Sequence, residues 1–223
     1  MKYLRFLILF IIKYIIKVFY SFNLKQFSLI NDEDWREVKL IIFLNHTSLF
    51  EILFIAIAPN KFLWQIAQNL MLPVAEETLK RPFVGRLIHI LIPGCVPISR
   101  KNDATWYRFL SKINSQTLTA ILPEGRMKRS NGLDKHGNPM SIKSGVVDIL
   151  QQIPVGNLLF VYSGGLHHIQ SPGEKYPRVF KKINAGLEIH GVKAFKAQFN
   201  DVQSFKAQVI HDLESKLSGC ESL

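Results

Sequence analysis

An α/β fold, a sheet covered by helices, is what this sequence predicts, and three observations predict it. From Val38 onward, short apolar runs that read as strands alternate with longer segments of helical period. The run that reaches Leu44 is the apolar core of a buried strand, not one turn of a surface helix. The chain has 223 residues with no internal repeat and no low-complexity linker, which suits one sizeable core.

The elements follow in order. Residues 1–22 are mostly Leu, Ile, Phe, Tyr and Val, interrupted by Lys2, Arg5, Lys13 and Lys17. On a helix those cations fall within an arc of about 120°, leaving the rest of the surface apolar. The longest charge-free run, Phe6 to Ile12, is far short of the roughly 20 residues of a spanning helix. An amphipathic, membrane-associating helix lying in the plane of an anionic leaflet is therefore expected, ahead of a span, a signal peptide or a core-packing helix with one basic face. Residues 1–30 form this unit and residues 31–223 the main domain.

Asn31 to Asp34 is an acidic turn before a strand at Val38–Leu44. Leu49 to Ala58 reads as a buried helix capped by Thr47 or Ser48 and stopped by Pro59. A second strand is expected at Lys61–Ala67, and Pro73 and Pro82 bracket a loop or short helix. Then come a helix at Phe83–Ile90, a strand at Cys95–Ser99, a helix capped by Asp103 and running to Ile113, and a strand at Thr117–Leu122. Pro123 to Ser144 is polar, basic and rich in Gly and Asn, a long loop of the kind that carries function. A helix at Lys143–Gln152, strands near Asn157–Tyr162 and Ala185–His190, and an amphipathic helix at Val202–Leu217 complete the chain.

The formal charge of +11 predicts an anionic partner: nucleic acid, an anionic leaflet, a phosphorylated small molecule or an acidic carrier protein. Cys95 and Cys220 are far apart and form no C-x-x-C, which argues against a disulfide scaffold or thiolate zinc site and fits a reducing compartment. Ser163 lacks the leading glycine of a nucleophile elbow, and the adjacent pair His167-His168 cannot turn both rings to one metal. There is no P-loop and no dinucleotide-binding glycine pattern.

His46, in Asn45-His46-Thr47-Ser48, stands where a strand gives way to a helix, the place where α/β sheets gather their ligands. Glu51 follows at i+5, a spacing at which two residues of one helix do not face each other. His46 must then precede the helix and fold back, so that Glu51 fixes its tautomer and leaves the other nitrogen as a base. A second constellation, Pro123-Glu124-Gly125-Arg126-Met127-Lys128-Arg129, leaves another strand. Arginines there suit a phosphate, and a glutamate can accept from hydroxyls. Arg100 closes a third strand and could join the same phosphate site.

The order N-H-x-x-x-x-E, P-F-x-G, G-x-x-x-I-x-R, P-E-G-R and K-x-G, from about Lys39 to Tyr162, resembles the 1-acylglycerol-3-phosphate acyltransferases, the lysophospholipid or glycerolipid acyltransferase family. The resemblance implies a glycerolipid acyltransferase-like fold with a mixed sheet, and His46 as general base with Glu51 as its acidic partner. It places Arg100, Glu124 and Gly125 at the acceptor site, to which the reading of the basic loop adds Arg126 and Arg129. It implies transfer of an acyl chain from acyl-coenzyme A or acyl carrier protein, as co-substrate, to a lysophospholipid-type hydroxyl. No metal or bound cofactor is expected, and no nucleic acid; the location implied is the cytoplasmic face of a membrane. Backbone N–H groups near Thr47 and Ser48 are the expected oxyanion donors.

The sequence departs from the family pattern at three places. Glu51 replaces the usual aspartate, as in lipid A late acyltransferases. Arg126 follows Gly125 directly, with Met127 at the usual arginine position, similar to the lysophosphatidylethanolamine acyltransferase branch. Gln65 and Gln68 stand where a lysine is common before Pro73. Acylation of a glycolipid or aminolipid, or non-catalytic lipid binding at a membrane, are the alternatives.

Overall fold

The computed structural model describes residues 1–48, 50–99, 103–171, 173–174, 176–199, 201 and 203–220. Its centre is a seven-stranded mixed sheet. The strands are β1 (Tyr20–Gln26), β2 (Val38–Leu44), β3 (Leu70–Ala75), β4 (Gly94–Ile98), β5 (Leu118–Ile121), β6 (Asn157–Ser163) and β7 (Lys181–Gly191). They lie in the order β1-β7-β6-β2-β5-β3-β4, and β6 against β7 is the antiparallel pair. The block β6-β2-β5-β3-β4 is parallel throughout, so its strands end on the same side. The expected α/β class, a mixed sheet flanked by helices, is what the chain adopts.

The helices are α1 (Lys2–Phe19), α2 (Asp32–Arg36), α3 (Asn60–Asn69), α4 (Glu76–Leu79), α5 (Pro82–Leu91), α6 (Ala104–Leu110), α7 (Gly145–Gln152), α8 (Val192–Ala197) and α9 (Phe205–Gly219). In β6, Leu159 and Val161 join the core shared with Leu9 and Ile16 of α1 and with α3, whereas Leu158, Phe160 and Tyr162 join the core shared with α6, α7, α8 and α9. Burial on both faces explains why the central strands read as nearly unbroken apolar runs.

Several elements differ from the expectation. Lys61–Ala67 lies in α3 and not in a strand: its buried residues are Phe62, Leu63, Ile66 and Ala67, an i, i+1, i+4, i+5 pattern that puts one helical stripe against the core. The strand comes next, as β3, which accepts Pro73 because its pairing with β5 stops at Met71 and the rest is bonded only to β4. The expected helix at Leu49–Ala58 is a 3-10 turn at Glu51–Ala56 whose first residue is preceded by no side-chain cap. The hydroxyls that were to cap it act elsewhere. Thr47 Oγ1 accepts from the Leu166 N–H, and Ser48 Oγ from the Phe50 N–H. β1 and α8 were not anticipated. β1 extends the sheet directly from α1, pairing from Tyr20↔Lys181 to Gln26↔Leu187.

α1 turns two of its four cations, Arg5 and Lys13, toward the protein, while Lys2 and Lys17 are exposed. Lys13 is buried and donates to the Ala58 carbonyl at 2.6 Å and to Asn60 Oδ1 at 2.8 Å, flanked by buried Leu9 and Ile16. Arg5 Nε donates to the Ile90 carbonyl at the end of α5. Burial and the neighbouring Lys17 hold the Lys13 pKa below the usual lysine range. On the opposite side Leu4, Leu7, Ile11, Tyr14, Ile15 and Val18 are exposed, and on a regular helix they fall within about 100° of arc. Leu87 and Ile90 of α5 are exposed as well. Among the described residues, no helix is long and apolar enough to cross a membrane.

Candidate active site

The site lies where β2 and β5 end side by side. Ile42 is level with Ile121, so the parallel register carries Asn45 and His46 up to Glu124. Glu124, 2% exposed, takes the Asn45 N–H on Oε1 at 2.8 Å and the His46 N–H on Oε2 at 3.0 Å. Burial pushes its carboxyl above the usual glutamate range, against the lowering effect of those N–H groups and of the His46 ring. Gly125 follows with φ +66°, a left-handed turn that lets Glu124 point inward while the exposed Arg126 leaves the sheet.

Asn45 is itself left-handed, at φ 68°, a conformation asparagine tolerates better than most residues. Its Nδ2 donates to the Ser163 carbonyl at the end of β6, on the other side of β2, at 2.8 Å. The backbone reversal at Asn45 is thus braced from both neighbouring strands, and it throws the next side chain, His46, clear of the sheet.

His46 Nδ1 lies 2.7 Å from Glu51 Oε1, the two side chains being 14% and 16% exposed. The 3-10 turn begins at Glu51, so the carboxylate stands at its positive end and also lies 3.4 Å from the Ser48 N–H. With the carboxylate accepting from Nδ1–H, Nε2 carries the lone pair of the neutral ring. The fold-back inferred from the five-residue spacing is the geometry found.

The polar loop folds over this corner. The Lys128 N–H donates to the His46 carbonyl at 2.7 Å, and the Lys128 carbonyl lies 2.8 Å from His167 Nε2. His168 Nε2 meets the Lys182 carbonyl at 2.8 Å, so each member of the histidine pair is held by backbone. Arg126 pairs with Asp134, whose carboxylate also takes the N–H groups of His136 at 2.7 Å and Asn138 at 3.0 Å. The Asn138 N–H, acting against burial, and then Arg126 and the other donors hold Asp134 well below the usual carboxylate range. Arg129 is exposed. Arg100 lies outside the described residues; β4, which precedes it, ends on the same side of the sheet as β2 and β5.

Residues 26–162 match the family model described as Acyltransferase, more than half of the chain. The chain belongs to the acyltransferase family. It is an acyltransferase, as its motifs suggest. Its fold is similar to the crystal structure of PlsC, the 1-acyl-sn-glycerophosphate (LPA) acyltransferase of Thermotoga maritima. The two are 18% identical, over 98% of this chain and 82% of that one, with a TM-score of 0.58. No curated protein matches the chain in sequence.

In this acyltransferase a small cavity of about 20 Å³ adjoins His46, lined by Asn45, His46, Glu124, Lys128, Met140 and Leu217. Four of these, Asn45, Lys128, Met140 and Leu217, were not among the candidate site residues read from sequence. Asn45 carries a readable signal, an asparagine at the exit of a strand. Met140 and Leu217 carry none, because they reach the site by tertiary packing. A larger cleft of about 590 Å³, between the end of α8 and α9, shares no lining residue with the cavity.

Proposed function

We propose that this acyltransferase moves a fatty acyl chain from an acyl thioester, of coenzyme A or acyl carrier protein, to the hydroxyl of a lysophospholipid-type acceptor at a membrane surface. The observation that carries the reading is the 2.7 Å contact between His46 Nδ1 and Glu51 Oε1 at the end of a parallel strand. In that arrangement Nε2 takes the proton of the acceptor hydroxyl, and Glu51 stabilises the imidazolium that forms. The acceptor oxygen adds to the thioester carbonyl. Collapse of the tetrahedral adduct breaks the C–S bond, and the imidazolium returns its proton to the departing thiolate. The products are an ester and a free thiol, with His46 neutral again.

Arg129, exposed on the loop over the same strand ends, and Arg100, which follows β4, supply positive charge for an acceptor phosphate, and Arg126, already paired with Asp134, can add its remaining N–H groups. The exposed apolar arc of α1, with the exposed Leu87 and Ile90 of α5, offers a surface for acyl chains and supports peripheral attachment through residues 1–22, at the cytoplasmic face that the motifs imply. The test is transfer of labelled acyl groups from both thioesters to a panel of lysolipids. His46→Ala should lower the rate by about 10²–10⁴ with the thermal transition unchanged. Equal rates in the two proteins remove His46 from the chemistry.

A further inference from the structure

We infer that Leu217, in the last turn of α9, is with Met140 the gate of the active site, and that Leu217 sets the size of acceptor headgroup admitted. The inference rests on the acyl-transfer reading proposed above, and it starts from volume. About 20 Å³ beside His46 accommodates a water molecule and little more. Pockets for small organic ligands run to about 300–1,000 Å³, so the wall must move before a glycerophosphate group can approach the base.

Most of that wall is fixed. Asn45 and Glu124 are buried at the ends of adjacent strands and bonded to each other through the 2.8 Å contact. His46 is held by Glu51 and by the Glu124 carboxylate, and Lys128 by the 2.7 Å bond from its N–H to the His46 carbonyl. Met140 belongs to the long loop and lies outside every helix and strand, and Leu217 belongs to the C-terminal helix. These two are the parts of the wall that can be displaced without dismantling the strand ends.

The turn that carries Leu217 is latched. Lys216 Nζ donates to Glu188 Oε2 of β7 at 3.0 Å, and the same carboxylate takes the Tyr162 hydroxyl and lies 2.6 Å from His190 Nε2. Lys216 also stands over the Phe160 ring, 5.1 Å from its centroid. Val209 and Leu213 anchor the earlier turns of α9 in the core and Cys220 anchors its end, so the half-buried Leu217 side chain and the Lys216 latch beside it are what can give way. With the latch closed, Leu217 occupies space that an acceptor needs. With the latch open, the side chain defines the edge of the opening and hence the width of headgroup that passes.

Two readouts test this on the full chain: Leu217→Ala, Leu217→Met and Lys216→Met are each checked for an intact thermal transition. The first readout, independent of turnover, is carbethoxylation of His46 by diethyl pyrocarbonate, followed by peptide mass spectrometry with the exposed His89 as internal reference. His46 should react about tenfold faster in Leu217→Ala and in Lys216→Met, and at the wild-type rate in the volume-conserving Leu217→Met. The second is kcat/KM for lysophosphatidate against lysophosphatidylethanolamine, whose ratio should move by about tenfold toward the larger headgroup in Leu217→Ala. Unchanged His46 labelling overturns the gate. Faster labelling with an unchanged ratio upholds the gate and overturns headgroup selection. If the wild-type protein acylates no lysolipid while labelling still responds, the functional reading fails and the gate stands.

Discussion

Replacing Glu124 with glutamine separates two roles that a carboxylate in this motif can have. In the structure each of its oxygens holds one backbone N–H, of Asn45 at 2.8 Å and of His46 at 3.0 Å. Glutamine keeps one acceptor and turns an amide N–H toward the other donor, leaving a buried N–H unpaired at a cost of about 1–3 kcal/mol. Removing a desolvated charge, the same burial that lifts the Glu124 pKa, offsets part of this, so about 1–2 kcal/mol is the expected net loss. For a chain of this size that is a fall in Tm of about 2–8 °C. The His46 backbone shifts with the lost bond, and an error approaching 1 Å in the position of a base lowers kcat by about 10²-fold, with KM for the acceptor little changed. Calorimetry and steady-state kinetics on the purified Glu124→Gln protein read both effects. A Tm within about 1 °C of wild type together with an acceptor KM raised about tenfold would refute the reasoning and make Glu124 a substrate ligand.

Asn45→Ala forces a Cβ-bearing residue without a compensating amide into φ 68°, whereas Asn45→Gly relieves that strain, and both lose the bond to Ser163. Asn45→Gly should be the more stable of the two by about 1–2 kcal/mol in urea unfolding, and equal midpoints would contradict the strained reversal. Hydrogen bonds from His190, Tyr162 and Lys216, outweighing burial, hold Glu188 down at about 2. Its stabilisation is therefore present above the unfolded-chain value near 4.5 and is lost as the pH falls toward about 2. The acid-side loss of stability should shrink by about 3 kcal/mol or less in Glu188→Gln, and an identical pH profile would argue against it. Leu7→Glu with Ile11→Glu alters two exposed residues of α1, so Tm should hold while vesicle flotation falls by at least about tenfold. Undiminished flotation would move the lipid surface elsewhere.

Much of the site was legible because its determinants are local. The interval between His46 and Glu51 excludes a shared helical face, and the turn that solves this is built within one segment. The charge of the loop after β5 was equally plain, but the partners of its side chains were not. Glu124 binds backbone from a segment about 80 residues earlier, and Arg126 binds Asp134, contacts that no spacing rule encodes. α3 was misjudged because a short apolar run satisfies strand and helix alike until its inward residues are known. β1 was hidden by composition. Its pattern Tyr-Ser-Phe-Asn-Leu-Lys-Gln is that of a mostly exposed edge strand, continuous with the helix before it.

The orientation of α1 also bears on ionic strength. Arg5 and Lys13 are engaged by carbonyls of the protein itself, and the exposed arc of Leu4, Leu7, Ile11, Tyr14, Ile15 and Val18 carries no formal charge, the exposed Lys2 and Lys17 lying outside it. Salt screens attraction between exposed charges over about 10 Å at 0.1 M, yet it barely weakens the transfer of apolar side chains out of water. Attachment through such a face should survive a high-salt wash that strips proteins held by basic patches, and should extend to vesicles of neutral lipid. The chain's net charge of +11 would then serve the phosphorylated acceptor proposed for it and the rate of encounter with an anionic leaflet more than the hold that follows.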